Sequence, residues 1–339
     1  MATLVRAASL GNFAEVAGRA GADPAALLRA AGLDPALLGD PDLRIPAKSV
    51  TQVLEAAARA SGCDTIGLQM AESWRMSDFG AMSLLLAHQG TLREALEATV
   101  RYRHLLNDAI SLEIEDAGPL VIVREELVLE GGAAAPRQAI ELALGVVFRL
   151  ARALLGPDWR PRSVRFRHAA PASLAVHRRV FGMHLQFDAE FNGIVCDAHD
   201  LDFANPAADP AMASHARRYV DSLPGAGPAS VAQDVRRAIH ALMPRGKAVI
   251  GQVAHAMGTH PRQLQRQLEA EGMSFSALLN AARRERAPAY LQNAAYSLTQ
   301  VSELLGYGHA SSFTRWFVTE FGEAPLAWRA RHAPRGPRR

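Results

Sequence analysis

Apolar residues recur at helical spacing through the first hundred residues. At positions i, i+3, i+4 and i+7, the clearest face consists of Val50, Val53, Leu54 and Ala57. Another helix is predicted to begin at Thr91, because Thr91 and Glu94 have capping-box spacing and each can pair with a backbone amide. The pattern therefore predicts helices over this part of the chain.

The apolar spacing then changes to every second residue. Ile110, Leu112 and Ile114 alternate with polar residues, and Leu120–Val123 follows a turn at Gly118, which predicts a β-hairpin. Further patterns predict helices near 136–155, 172–181 and 206–222, and short strands near 164–167, 184–187 and 193–196. Helices followed by an antiparallel sheet predict an α+β domain.

The apolar face of this hairpin allows two interpretations. Covered by helices, its side chains could enclose a small ligand, or they could belong to a filled core. The residues concerned are Ile110, Leu112, Val121 and Val123.

A segment rich in Pro and Gly divides the chain. Two prolines within residues 223–229 stop the flanking helices, which predicts a linker. The predicted domains are residues 1–222 and residues 230–332, followed by a basic tail at 333–339. All of the predicted elements after the linker are helices, so the second domain is expected to be all-α.

One pattern occurs twice in the second domain. A valine precedes a glycine by five residues in both copies, at Val253 and Gly258 and again at Val301 and Gly306. Glycine readily adopts the left-handed conformation that ends a helix, and small residues at 254 and 302 permit a close helix contact. Apolar pairs then recur at i and i+4: Leu264 with Leu268, and Phe313 with Phe317. This is the pattern of two helix-turn-helix motifs.

In the first copy, Thr259 is expected to cap the second helix and Pro261 to stand in its first turn. The face opposite the leucine pair stays free. It carries side chains that can read base edges in the DNA major groove: Arg262, Gln263, Gln265 and Arg266.

Charge is distributed unevenly along the chain. Of its 37 Lys and Arg and 34 Asp and Glu, residues 230–339 hold 15 and 7, and residues 1–229 hold 22 and 27. The second domain is therefore +8 and the first −5, although the whole chain is only +3. Basic residues also mark the helix between the two motifs, at Arg283, Arg284 and Arg286. A basic domain favours nucleic acid as its partner, the alternative being a solvated Arg-rich surface.

Several kinds of chemistry find no support in the sequence. Cys63 and Cys196 are far apart without metal-ligand spacing, so we predict no disulfide, metal site or cofactor. No apolar segment is long enough to span a membrane, and the N-terminal residues lack the apolar core of a secretory signal, so we expect a cytoplasmic, nucleoid-associated protein. The acidic residues of the first domain, including Glu125 and Glu126, are expected to be solvated rather than catalytic.

The second domain resembles that of the AraC/XylS family of bacterial transcription regulators. The match extends from about 231 to 331 and is most specific at Leu304–Phe317, followed by Phe321-Gly322 and Pro325. This resemblance implies base contacts from Arg262, Gln265 and Arg266 in the first motif. In the second motif it implies contacts from Ala310, Ser311, Thr314 and Arg315.

The chain departs from the family pattern at three positions. His309 stands where the family often has a capping Asp, and Val318 stands where a Lys commonly contacts phosphate. Pro288 lies inside the connecting helix, where it should remove one hydrogen bond and kink the helix.

The first domain resembles the helical-then-β sensing domain of one AraC-type subgroup, not the cupin barrel of the arabinose sensor. The stretches that carry this resemblance include Gly90–Leu96 and Val164–His168. The order of elements is also similar to that of haem-based gas sensors, with His104 as the candidate ligand, but we predict no haem.

The resemblance implies a sequence-specific DNA-binding regulator controlled by a small-molecule effector. Two other classes stay open at this point: an architectural protein that binds DNA without sequence preference, and an enzyme domain fused to a DNA-binding module. Homodimerisation and contact with RNA polymerase are also open, as are the effector, the operator and the direction of regulation.

Overall fold

The described residues of the chain fall into two compact units. The computed structural model describes residues 3–129, 136–223, 230–243, 246–257, 259–293 and 296–332. Unit 1 lies within Met1–Leu127 and Ala135–Gly227, and unit 2 lies within Val128–Ala134 and Pro228–Arg339. The predicted linker beyond Leu223, the glycine at 258 and the predicted tail lie outside the described residues.

Unit 1 begins with mostly helical structure. Its helices are α1 (Phe13–Arg19), α2 (Pro24–Ala30), α3 (Ala47–Ser61), α4 (Ile66–Glu72), α5 (Met82–Ala87), α6 (Leu92–Arg101), α7 (Arg103–Leu106), α8 (Arg137–Leu155), α9 (Ala175–Phe181), α10 (Ala198–Leu201) and α11 (Pro210–Asp221). Short 3₁₀ helices occupy Ala7–Leu10, Pro35–Gly39 and Met76–Phe79. The expectation of helices alone was incomplete, because β1 (Leu4–Arg6) pairs antiparallel with β2 (Arg44–Pro46).

Local helix signals were read correctly. The predicted face of α3, from Val50 to Ala57, is buried. At the start of α6, Thr91 Oγ1 accepts a hydrogen bond from the Glu94 amide at 3.2 Å, and Glu94 Oε2 accepts one from the Gly90 amide at 2.8 Å. Both predicted capping side chains therefore pair with backbone amides.

A five-stranded sheet follows the helices. Its strands are β3 (Ile110–Ala117), β4 (Leu120–Leu127), β5 (Ser163–Arg165), β6 (Leu185–Gln186) and β7 (Gly193–Asp197), in the spatial order β3-β4-β7-β5-β6. The prediction of an antiparallel sheet was wrong at one edge, where β5 and β6 pair in parallel. The reason is the connection between them, since α9 carries the chain back across the sheet before β6 begins.

Helix α8 packs closely on α4. A Cβ atom on Gly67 would lie 1.9 Å from the Gln138 carbonyl oxygen, and one on Gly145 would lie 2.3 Å from Ala71 Cβ. No real Cβ atom could occupy either position unless the backbone moved. The two glycines therefore set the distance between α4 and α8.

Unit 2 is helical throughout its described part. Its elements are α12 (Val231–Leu242), α13 (Ile250–Ala256), α14 (Pro261–Ala270), α15 (Phe275–Gln292), α16 (Leu298–Leu304), α17 (Ala310–Phe321) and α18 (Pro325–His332). A single core of buried residues runs through them, including Ile239, Leu264, Leu291, Phe313 and Phe317.

Glu271 connects the end of α14 to the beginning of α12. Its carboxylate accepts hydrogen bonds from the Ser230 hydroxyl and the Val231 amide at 2.7 Å, and from the Ala232 amide at 2.9 Å. Burial acts to raise the pKa of Glu271, but these three donors outweigh it and hold the pKa below its usual value. The carboxylate thus caps a helix that lies 40 residues earlier in the chain.

Helix α15 continues through Pro288. The helix extends from Phe275 to Gln292, with Pro288 in its last two turns. Ser274 caps its start by accepting a hydrogen bond from the Ala277 amide at 3.2 Å. The proline removes one backbone hydrogen bond near the end of the helix, and it does not divide the helix into two elements.

Candidate nucleic-acid interface and ligand cavity

The first helix-turn-helix motif consists of α13 and α14. Val253 and Ala254 of α13 are buried, and so are Leu264 and Leu268 of α14, as predicted. The Thr259 amide donates to the Ala254 carbonyl at 2.9 Å, which closes the turn between the two helices. The apolar pair holds one side of α14 against the core and leaves the other side free.

The expected cap on α14 was wrong. His260, not Thr259, stands at the N-cap position, and no side chain caps the helix there. Pro261 occupies the first turn as predicted. Thr259 precedes the N-cap position by one residue. Its hydroxyl is buried and has no hydrogen-bond partner among the described residues.

The free side of α14, called the α14 face, carries four long polar side chains. All four are exposed to solvent. No hydrogen bond or ion pair joins them to any other side chain in the described part of the chain. They are Arg262, Gln263, Gln265 and Arg266.

The second motif consists of α16 and α17 and repeats the same framework. Gly306 ends α16 with φ of +72°, and the Tyr307 amide donates to the Ser302 carbonyl at 3.0 Å. This bond is the counterpart of the one between Thr259 and Ala254 in the first motif. Phe313 and Phe317 are fully buried beneath α17, as predicted.

The corresponding α17 face is much less polar than the α14 face. It consists of Ala310, Ser311, Thr314 and Arg315. The Thr314 hydroxyl donates to the Ala310 carbonyl at 2.9 Å, so its proton is already used within the helix. His309 stands at the N-cap without a side-chain hydrogen bond, and Val318 on the next turn is 42% exposed. Arg315 is the one charged side chain of this face.

The arginines of α15, the helix that connects the two motifs, are bonded within the protein. Arg283 donates to the carbonyls of Leu305 and Gly306 at 2.9 and 3.1 Å, and its guanidinium lies 3.9 Å from the centre of the Tyr307 ring. Burial lowers the pKa of Arg283 and raises that of Tyr307 to about 12. Arg283 therefore fixes the turn of the second motif from within unit 2.

Its neighbours on α15 are also engaged. Arg284 pairs with Glu320 at 2.6 Å, and Arg286 donates to His240 at 3.4 Å. The other paired arginines of unit 2 are Arg236 with Glu285, Arg237 with Asp234, Arg329 with the carbonyls of Leu291 and Tyr296, and Arg331 with Glu323. Among the described arginines of unit 2, this leaves Arg262, Arg266 and Arg315 without a partner for their side chains in the part of the chain that the structure describes.

Unit 1 contains a cavity of about 400 Å³ between its helices and the hairpin. Ile110 and Leu112 of β3 line it, so a ligand in the cavity stays an open interpretation for those two residues. Val121 and Val123 instead pack into the filled core, so the other interpretation holds for them. Most of the wall is apolar and includes Leu54, Met70, Leu96, Leu142, Val146 and Leu150.

Glu125 is one of the charged residues of this wall. The residue is 1% exposed, and neither carboxylate oxygen has a hydrogen-bond partner within the described ranges. Burial, together with the nearby charge of Glu126, raises the pKa of Glu125 well above its usual value. The expectation that Glu125 and Glu126 are solvated was wrong, since Glu126 is also buried, 3.4 Å from Arg167.

The sequence contained a signal for this position. Val121, Val123 and Glu125 are separated by two residues each, so they point to the same face of β4. A carboxylate in register with two buried valines predicts a charge that faces the core. The significance of the position was missed because Glu125 and Glu126 were interpreted as a pair.

Metal-binding clusters and membrane-spanning helices are both absent from the described residues. In this part of the chain, no group of three or more His, Cys, Asp or Glu side chains could hold a metal ion. None of its helices combines the length and apolar character needed to cross a bilayer.

The chain matches two known families. Residues 21–205 match the profile described as the arabinose-binding domain of AraC transcription regulator, N-terminal. Residues 253–331 match a helix-turn-helix domain that covers both motifs.

Curated relatives match along most of the chain. The HTH-type transcriptional regulator VirS of Mycobacterium tuberculosis is 29% identical over 331 residues, with 97% of each chain covered. The ornithine utilization regulator of Pseudomonas aeruginosa is 23% identical over 308 residues, with 90% of each chain covered. The crystal structure of the transcriptional regulator CdpR from P. aeruginosa aligns with a TM-score of 0.40 at 21% identity, covering 91% of this chain and 96% of that one.

Proposed function

Because this chain belongs to the AraC family of transcription regulators, we propose that the α14 and α17 faces make its contacts with double-stranded DNA. The chain combines an N-terminal ligand-binding domain with a helix-turn-helix DNA-binding domain, as an effector-controlled regulator does. The observation that carries the residue assignment is the distribution of arginines. The three arginines whose side chains have no partner among the described residues of unit 2 lie on the α14 and α17 faces, which the apolar pairs leave free.

The α14 face is proposed to read bases. Arginine can donate two hydrogen bonds to guanine, and glutamine can pair twice with adenine, in the major groove. Arg262, Gln263, Gln265 and Arg266 supply both side-chain types from a helix held by Leu264 and Leu268. No internal contact has to be broken before they bind.

The α17 face is proposed mainly to hold the phosphate backbone. Ala310 and Ser311 are short, and the Thr314 hydroxyl is bonded to its own helix. Arg315 alone offers a charge, and a phosphate is a partner for one guanidinium that requires no particular base. The second motif would then position the protein while the first selects the sequence.

Unit 1 is proposed to hold the effector in its 400 Å³ cavity. A cavity of this size lies within the usual range for small-molecule sites, which are mostly apolar with a few polar anchors. We assign sensing to residues 1–222, the connection to residues 223–229 and DNA binding to residues 230–332.

The remaining parts of the proposal concern class and partners. We propose that unit 1 senses and does not catalyse, in keeping with relatives that are named as regulators. We also propose a homodimer, supported by the exposed side chains Met212 and Tyr219 on one face of α11. Contact with RNA polymerase and a location at the nucleoid follow from the proposed role in transcription.

A comparison of two double variants tests the interface. Arg262→Ala with Arg266→Ala removes two charges from the α14 face, whereas Arg284→Ala with Arg331→Ala removes two paired charges elsewhere on unit 2. We expect the first pair alone to abolish the preference for operator over random DNA in a salt-titrated binding assay. Equal losses of preference from both pairs would refute the assignment of the α14 face.

A footprint tests the two-motif arrangement. If both α14 and α17 enter successive major grooves, one chain should protect two half-sites about 10 base pairs apart. Protection confined to one groove would exclude the α17 face from DNA binding.

A further inference from the structure

Glu125 has an unusual place in the cavity of unit 1. It lies on β4 directly opposite Leu112 of β3, and both residues line the cavity. Its backbone is fixed, because the Glu125 amide donates to the Asn192 carbonyl at 2.9 Å. Glu125 is therefore part of the cavity wall on a rigid strand, and both of its carboxylate oxygens are buried there.

The described residues around Glu125 supply no hydrogen-bond partner for its carboxylate. Helix α8 contributes only apolar side chains to the lining: Ala139, Leu142, Ala143, Val146, Val147 and Leu150. The other charged residues of the lining come from other elements: Arg6, Glu15, Arg75, Asp78 and Arg103. Arg6 is bonded to Asp42 and to the Asp78 carbonyl, and Arg103 donates to the Val100 carbonyl. Burial raises the pKa of Glu125, and the charge of Glu126 raises it further.

Three classes of ligand would interact differently with this carboxyl. An anionic ligand would be repelled by the carboxylate form of Glu125. A sugar would leave hydroxyls unpaired against the apolar part of the wall that α8 forms. A protonated amine would form a charge-assisted hydrogen bond with the carboxylate, which is stronger than a bond between neutral groups.

We propose that the cavity selects an apolar amine, whose hydrocarbon part fills the space beside Leu142 and Val146 and whose ammonium group pairs with Glu125. The inference rests on the proposed function of the cavity as the effector site, and it adds the chemical class of the effector.

Binding of an amine to this site must release a proton. In the empty cavity the protonated form of the Glu125 carboxyl is favoured, because burial raises its pKa well above the usual value. Pairing with an ammonium ion requires the carboxylate, so one proton leaves Glu125 for the solvent. Affinity for the amine should therefore rise about tenfold per pH unit until the pH passes the raised pKa, and level off above it.

The test uses octylamine, octanol and octanoate as matched probes, with arabinose as a polar comparison. Isothermal titration calorimetry of the full chain at neutral pH should show octylamine binding about tenfold or more tighter than octanol. Octanoate and arabinose should bind weakest. Repeating the octylamine titration in buffers of different ionisation enthalpy should reveal the released proton.

Two variants identify the group responsible. Glu125→Gln keeps the shape of the side chain and should reduce octylamine affinity to that of octanol, with no proton release. Glu126→Gln removes the neighbouring carboxylate, which does not line the cavity, and should preserve the preference for the amine.

The outcomes separate the two proposals. If octanol binds as tightly as octylamine, or if Glu125→Gln changes neither, the amine class is refuted while the cavity remains a ligand site. If arabinose binds tightest, the ligand is a sugar. If none of the four probes binds, both the cavity proposal and the amine class fail.

Discussion

The two helix-turn-helix motifs share a framework and differ in the face they present. Each motif closes its turn with the same type of backbone bond, from Thr259 to Ala254 and from Tyr307 to Ser302. Each seats its second helix with an apolar pair four residues apart. The turn between helices has four residues in the first motif and five in the second.

The exposed side chains of the two motifs differ far more than their buried side chains do. The α14 face offers two arginines and two glutamines, whereas the α17 face offers one arginine, a hydroxyl already in use and an exposed valine on the next turn. The buried positions are constrained by packing, and the exposed positions are constrained only by what they bind. Under the proposed function, two motifs of one fold perform different tasks.

The largest expected effect is a loss of stability when a buried residue that holds α14 or α17 against the core is removed. Phe317→Ala should lower the free energy of unfolding of unit 2 by about 3–5 kcal/mol, and Leu268→Ala by about 2–5 kcal/mol, because both side chains are fully buried. Urea unfolding of each variant measures the loss. A loss below about 1 kcal/mol for either would show that its helix is seated by other contacts.

A smaller effect, on DNA affinity, tests whether Arg266 reads a base. Arg266→Ala should weaken binding to the operator by about 1–3 kcal/mol and relax the preference at one base position. Arg284→Ala is the matched control, since it removes an arginine whose charge is already paired with Glu320. Competition with operators altered at single positions measures the preference. An unchanged preference in Arg266→Ala would contradict base reading by this residue.

Arg315→Ala should affect binding to different DNA sequences more evenly than Arg266→Ala does. If Arg315 contacts phosphate, its loss should weaken all DNA sequences alike and reduce the salt dependence of binding by about one counterion. Binding to operator and random DNA across a salt series provides both values. A loss confined to the operator would mean that the α17 face reads bases after all, and the two faces would then be equivalent.

The smallest effect concerns Glu271, whose pKa is held below its usual value. A depressed pKa contributes stability above the unfolded pKa of about 4.3, and this stability is lost as the pH falls through the folded pKa. Glu271→Gln should therefore cost about 0.5–1 kcal/mol at neutral pH and progressively less under acid conditions. Hydrogen exchange of the Val231 and Ala232 amides reports the loss. A pH-independent difference would contradict the role of the charge.

Local patterns predicted much of the fold. The α3 face, the capping of α6, the hairpin β3–β4 and both apolar pairs of unit 2 are set by residues close in sequence. The pairing of β1 with β2 joins segments about 40 residues apart, and the parallel contact of β5 with β6 depends on α9 between them. Such contacts leave little trace in the spacing of apolar residues.

The candidate sites show the same division. The α14 face could be identified from four residues around a leucine pair. The contacts of Arg283, Arg284 and Arg286 could not, because charge counting does not distinguish an arginine bonded to Leu305 or Glu320 from a free one. Glu125 was detectable by its register on β4, but its lack of a partner depends on α8, which follows later in the chain.

The cap that Glu271 provides also has a mechanical consequence. Ser230 is the first described residue after positions 224–229, and its hydroxyl and the next two amides are all bonded to Glu271. Tension on the chain at Ser230 would therefore reach the end of α14 through three hydrogen bonds. We expect an effector that pulls or slackens this point to alter how strictly the protein discriminates between sequences, more than how tightly it holds DNA in general.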